Sequence, residues 1–178
     1  LIQAVLDMCL AQVQTLSAAL FLTPDMDADR IVLVSGYKGF ELNRPDQDYG
    51  FGLNSPLIQF FEQNIKSLTV REMEDSLSRD ASVQMLREIG AEIIVPLKAK
   101  VKIIGIIVLG EKVVGGEYPD DERNFLVDLA SLSGVAVENA RLYERATVDM
   151  MTGLKNHAYF QSRLKEERER AQKRKRPL

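Results

Sequence analysis

The sequence predicts an α+β domain, a central antiparallel sheet flanked by helices, with a long C-terminal helix leading into a helical tail. Three observations carry this. Two pairs of short apolar runs, 17–22 with 31–37 and 92–97 with 102–109, read as hairpins. Helix-period stretches stand before, between and after those pairs. The last of them, Asp120 to Ala146, is long and carries more apolar surface than one sheet can cover.

Each element has its own signal. From Leu1 to Leu16, Ile2, Leu6, Cys9, Val13 and Leu16 form one apolar stripe at helical steps. Cys9 on that stripe reads as a small buried hydrophobe rather than a nucleophile. The first strand pair is joined by TPDMDADR. Its Asp25, Asp27 and Asp29 have the spacing of a calcium loop but lack the glycine and later Glu such a loop needs, so a solvated turn is expected. Lys38 to Asn54 reads as a loop whose aromatics, Phe40, Tyr49 and Phe51, fold back onto a core or line a pocket. Ser55-Pro56 opens a helix as N-cap and first helical residue, with Leu57, Phe60, Phe61 and Ile65 on its buried face. Ser67 to Val70 is a short strand candidate, and Ala81 to Ile89 a helix stopped by Gly90. The β-branched runs Glu92–Leu97 and Lys102–Leu109 meet at a tight Ala99-Lys100-Val101 turn, the strongest hairpin in the chain.

Asp120 is the expected N-cap of the long helix, with Asp121 and Glu122 favourably placed in its first turn. Leu129, Leu132, Ala136, Asn139, Tyr143, Ala146 and Met150 fall at alternating steps of three and four, the spacing of a coiled-coil seam. An Asn within such a seam tends to fix register and oligomer state. Leu126, Val127, Val135 and Val137 lie off the seam, so the helix is expected to pack on its sheet with one side and on a partner helix with the other.

Composition bounds the chemistry. The 178 residues are 46% hydrophobic and 28% charged with a net charge of −3, as for one ordinary domain with extensions. One cysteine and one histidine leave no internal disulfide and no Cys/His zinc site; composition leaves an all-carboxylate magnesium site open, and no metal or other cofactor is expected. No apolar run reaches membrane-spanning length and no signal peptide is visible; the chain is expected to be cytoplasmic, without membrane contact. Leu1 is not an initiator Met, and the chain is expected to be a segment of a longer one. The tail from Gln161 carries eight Lys or Arg against three Glu, but the interleaving reads as a solvated helix face rather than a nucleic-acid surface.

The motifs carry two family resemblances. Val95-Pro96-Leu97, Gly105, Val108-Leu109-Gly110, Tyr118 with Glu122, and Ala136, Asn139, Ala140, Leu142 and Tyr143 stand in the order in which they occur in GAF domains. Residues 1–146 therefore resemble a GAF sensory domain, and the fold expected is GAF-like. Asp149, Met151, Thr152, Gly153, Leu154, Asn156 and Phe160 resemble the opening of a GGDEF domain, the catalytic domain of diguanylate cyclases; Met151 stands where that family has Leu, and His157 where it has Arg. Residues 147–178 thus read as a linker and a truncated start of that domain. The family's metal-binding aspartates, its guanine-contacting residues and its Gly-Gly-Asp/Glu-Glu-Phe turn are missing from this sequence. Gly115-Gly116 is followed by Glu117-Tyr118-Pro119 and belongs to a GAF turn. This chain alone is not expected to be an enzyme, whereas the full-length protein is expected to make cyclic di-GMP from GTP.

Three functions compete. The first is a sensory module in which a small molecule binds the GAF pocket and alters the helix that drives the output domain. The second is a ligand-free dimerisation and relay domain with a filled core. The third, reduction of methionine sulfoxide as in some GAF-like domains, needs several loop cysteines and is set aside. The resemblance does not extend to the Asn-Lys-Phe-Asp-Glu set of cyclic-nucleotide binders, a bilin-attaching Cys, or a haem-ligating His. Candidate pocket residues are Tyr37, Phe40, Phe51, Leu57, Phe61 and Met85; the same side chains serve equally well as core. The partners expected are a second copy of the chain, through the N- and C-terminal helices, and an unidentified small molecule.

Overall fold

The computed structural model describes residues 1–25, 28–34, 36–43, 49–64, 66–77, 80–149 and 151–174. Their elements are α1 (Ile2–Val13), β1 (Ala18–Leu22), β2 (Arg30–Leu33), β3 (Gly50–Gly52), α2 (Pro56–Gln63), β4 (Leu68–Thr69), α3 (Val70–Leu77), α4 (Ala81–Glu88), β5 (Ile93–Ala99), β6 (Lys102–Leu109), α5 (Asp120–Thr147) and α6 (His157–Arg174). The predicted α+β class is the observed one. The chain divides into two compact units, Leu1–Val137 and Glu138–Leu178, with the division inside α5.

In the first unit all six strands join one antiparallel sheet in the order β3-β2-β1-β6-β5-β4. Strand alternation splits its side chains into two cores. Ala19, Phe21, Ile94, Ile106 and Val108 share one core with α2, α3, α4 and β3. Ala18, Leu20, Val95, Leu97, Ile107 and Leu109 share the other with α1 and α5. Both faces are covered, so β6 is apolar on both and shows no alternation in its sequence.

That strand contains a β-bulge. Leu97 pairs with Gly105, but Lys98 pairs with Ile103, leaving Ile104 as the extra residue. The bulge puts Ile103 and Ile106 on one face and Ile104 and Ile107 on the other. Gly105 lies against β1 so closely that a Cβ there would stand 2.5 Å from the Phe21 carbonyl oxygen and from Leu22 Cδ2.

Several expectations need correction. The first helix stops at Val13 because Gln14 turns left-handed (φ 50°), and Leu16, expected on the buried stripe, is exposed. The second strand ends at Leu33 rather than Tyr37, and Gly36 at φ +105° turns the chain. The loop from Lys38 contains a strand, β3, and the polar stretch after β4, where no element was expected, is a helix, α3. The hairpin turn is two residues, Lys100-Val101, since Ala99 pairs with Lys102. Asp120 is the first residue of α5; the Pro119 carbonyl before it accepts the Arg123 N–H (3.0 Å). Expectations at Asp27, Ile65, Met150 and the final Lys175–Leu178 lie outside the described residues.

Other signals are seen as read. Ser55 Oγ accepts from the Ile58 N–H (3.4 Å) ahead of Pro56, and Gly90 is left-handed (φ +73°) after α4. The first turn of α5 holds Asp120, Asp121 and Glu122.

Candidate functional site

The six pocket candidates come from four separate stretches of chain, and the fold brings them to one face of the sheet. Phe40, Phe51, Leu57 and Phe61 are buried in a single core, and Tyr37 and Met85 pack against it half-buried. Phe51 meets Phe21 edge-on at 5.1 Å between ring centroids, and Phe60 meets Phe61 at 6.0 Å. Phe21, Ile58, Met73 and Leu86 are equally buried members of this face that the sequence did not single out.

Among the described residues, two clefts open near the sheet. One of about 590 Å³ is charged and lies beside the α3 and α5 starts, lined by Thr69, Arg71, Glu72, Arg87, Glu92 and Arg123 among others. A smaller one of about 390 Å³ is lined by Phe40 with Gly39, Glu88, Gly90 and Glu111. Of the six candidates only Phe40 lines either. Among the described residues no group of three or more His, Cys, Asp or Glu could hold a metal ion, and no helix is long and apolar enough to cross a membrane.

The start of α5 is tied to the ends of α1 and β6. Tyr118 Oη donates to the Gly110 carbonyl (2.6 Å), which also accepts from Thr15 Oγ1 (3.0 Å). Lys112 Nζ donates to both Glu122 carboxylate oxygens at 2.7 Å. Burial pushes the Tyr118 phenol up to about 12, against the hydrogen bond from Thr15 and with the help of the Glu122 and Glu92 carboxylates. Burial also pushes the Cys9 thiol up to about 12, which removes it as a nucleophile and agrees with its core reading.

The predicted seam of α5 divides. Leu129 is buried on the helix's own sheet with Leu126, Ala130 and Val137. This corrects its place in a partner-facing stripe. Gly134 is where α5 crosses β5: a Cβ there would stand 2.4 Å from the Lys98 carbonyl oxygen. Leu132 (72% exposed) and Val135 remain outside in the first unit, and Leu142 and Tyr143 (59%) in the second; Ala136 is half-buried, Asn139 and Ala146 exposed.

The Asp149–Asn156 motif builds one turn. Asp149 Oδ1 accepts from the Met151 N–H (3.2 Å), the Thr152 N–H (2.9 Å) and Thr152 Oγ1 (2.8 Å). The Thr152 hydroxyl first, and the Thr152 N–H after it, hold the Asp149 carboxyl below its ordinary value. Gly153 takes φ +70°, which favours glycine, and its N–H returns to the Asp149 carbonyl (2.9 Å). Asn156 Oδ1 accepts from the Tyr159 N–H (3.0 Å) as N-cap of α6, while its Nδ2 donates to the Ala146 carbonyl (2.8 Å). Each polar motif residue thus has a structural role in joining α5 to α6. Leu154 and Phe160 are exposed.

The chain is similar to diguanylate cyclase A of Treponema denticola, with 36% identity over 161 residues, 90% of this chain; it spans 43% of that relative's length. Among solved structures it superposes on a GAF domain/HD domain protein from Geobacter sulfurreducens with a TM-score of 0.60 at 15% identity, covering 79% of this chain and 92% of that one. A domain of a putative two-component sensor histidine kinase protein from Sinorhizobium meliloti gives 0.55 at 20% identity, covering 81% and 94%. The sequence matches the GAF domain family over residues 1–138, the span that holds the whole sheet and both cores, and the chain belongs to that family.

Proposed function

We propose that this chain is the sensory GAF module of a cytoplasmic diguanylate cyclase. Residues 1–146 form the sensor, and residues 147–178 the linker and the opening of a GGDEF domain. A small molecule acting on the α2–α4 face alters paired α5 helices, and these orient the output domains that join two GTP molecules into cyclic di-GMP. The observation that carries the reading is α5 itself. It is one helix of 28 residues, with one apolar side buried on the sheet, another exposed, and the Asp149–Asn156 turn after it. The relative supports the output: an alignment covering 90% of this chain has to include Asp149 to Asn156.

The complete burial of Leu57 and Phe61 favours a second reading, in which the α2–α4 face is a filled core and the module only dimerises and relays. Both readings share the relay. A single residue inserted between Tyr143 and Asp149 rotates the downstream chain by about 100°, whereas seven residues bring it back within about 20° of phase. In the longer protein, one-residue insertions are expected to change cyclic di-GMP production more than seven-residue insertions. Equal effects would argue against the relay, and a ligand retained through purification and found by mass spectrometry separates the two readings.

A further inference from the structure

Arg123, in the first turn of α5, reaches the edge strand of the sheet and then the helix beyond it. Its Nε donates to Ser67 Oγ and its Nη2 to the Ser67 carbonyl, both at 3.1 Å; Ser67 is buried just before β4. The same guanidinium grips the Glu72 carboxylate with two bonds, Nη1 to Oε1 at 3.2 Å and Nη2 to Oε2 at 2.7 Å. Glu72 Oε2 also accepts from the Thr69 N–H (2.7 Å), and Thr69 Oγ1 accepts from the Glu72 N–H (3.1 Å). Thr69-x-x-Glu72 is a capping box for α3. One carboxylate therefore completes the cap of α3 and anchors the start of α5.

The two helices serve opposite faces of the sheet. Val70 and Met73 of α3 belong to the core that contains Phe51, Leu57 and Phe61, whereas Leu126, Leu129 and Ala130 of α5 belong to the other. A signal passing straight through the sheet would have to deform close-packed β5 and β6. The edge is softer, because β4 is two residues long and, among the described residues, pairs only with β5. The guanidinium–carboxylate fork gives the bridge a direction that a Lys would not supply. Glu72 is 44% exposed, so the bridge is weak enough for a ligand's differential affinity to open.

We propose that Arg123, Glu72 and Thr69 form a coupling clamp between the two faces: displacement of α3 frees the start of α5, and movement of α5 uncaps α3. This deepens the relay reading and rests on it for its purpose, naming the link by which occupancy of one face reaches the helix on the other. The test is backbone amide exchange in the intact chain. Glu72→Gln alters no residue of α5, yet exchange at Arg123–Val127 is expected to become about two- to fivefold faster. Arg123→Leu should act in the reverse direction on Met73–Leu77, and Arg123→Lys, which keeps the charge and loses the fork, should act the same way but less. Glu74→Gln breaks the Arg87–Glu74 pair between α3 and α4 and should leave Arg123–Val127 unchanged. Unaltered α5 exchange in Glu72→Gln, or equal acceleration by Glu74→Gln, overturns the clamp. Neither outcome depends on cyclase output, so the clamp can fail with the insertion series intact, and the reverse.

Discussion

On one face of the sheet, α1 and α5 lie against Leu20, Val95, Leu97 and Ile107, and the buried contact is aliphatic apart from Cys9 and Tyr118. On the other face, α2, α3 and α4 are eight residues each, and the buried side chains include Phe21, Phe40, Tyr49, Phe51, Phe61 and Met73. Helices of eight residues are too short to form alone. Side-chain caps hold all three: Ser55 on α2, the Thr69–Glu72 box on α3, and Asp80 on α4. Asp80 also accepts from the Leu57 N–H (3.2 Å), so one carboxylate serves two helix starts. The long-helix face instead uses close approach, with Gly134 against Lys98. One face is fixed by backbone proximity, the other assembled from capped pieces around large rings. In the proposed relay the second construction is the one that moves.

The contrast can be broken most directly at Phe61. If the ring face is packed in solution as it is here, Phe61→Ala should cost about 3–5 kcal/mol, read as a lower urea midpoint at unchanged slope. A loss below about 1 kcal/mol would mean that this face is open in solution, and the filled-core reading would fall. A smaller effect tests the opposite face. Gly134→Ala forces a Cβ to within 2.4 Å of the Lys98 carbonyl and should cost about 1–3 kcal/mol. Gly52→Ala, with nothing within 4 Å, should stay within about 0.5 kcal/mol, and equal losses would refute the close-approach account.

The smallest effect is in alkali and belongs to the α1–α5 face. Cys9 is raised from an ordinary 9.0 to about 12, and Tyr118 from 10.0 to about 12, both chiefly by burial. Above pH 9 the unfolded chain releases these protons while the folded chain keeps them, so stability falls as pH rises from about 9 to 12. At pH 10 the loss should be about 1 kcal/mol, mostly from Cys9, and Cys9→Ala should flatten the curve. An unchanged slope in that variant would remove Cys9 as the cause.

Much of this was legible because single residues carry it. Ser55-Pro56, Gly90 and the two β-branched runs of the β5–β6 hairpin each have one reading. The misses have physical causes. β3 is a three-residue strand with glycine at both ends, so it has neither length nor propensity. α3 did leave a signal: Val70, Met73 and Leu77 fall on a helical step behind Thr69-x-x-Glu72. Its charged residues hid that step, and no element was expected there. Leu129 fits both the sheet-facing and the outward stripe by spacing, and only the direction of the helix over β5 assigns it inward. The six pocket candidates share one core because large apolar side chains from a loop (Tyr37, Phe40), β3 (Phe51), α2 (Leu57, Phe61) and α4 (Met85) all need burial on the same face. The Arg123–Glu72 bridge joins residues 51 apart and has no local pattern at all.

The bulge at Ile104 gives β6 a problem of parity. In Lys102–Leu109 an Ile stands on either side of the step, so exchanging inward and outward positions would cost almost nothing in burial. Hydrophobicity alone does not distinguish the right alignment from one shifted by a residue. Gly105 does, because only a residue without a Cβ fits against the Phe21 carbonyl and Leu22. The glycine acts as a register mark: a strand aligned one place off would set an isoleucine Cβ against that carbonyl. The register of the central strand pair is thus entrusted to the smallest residue in it.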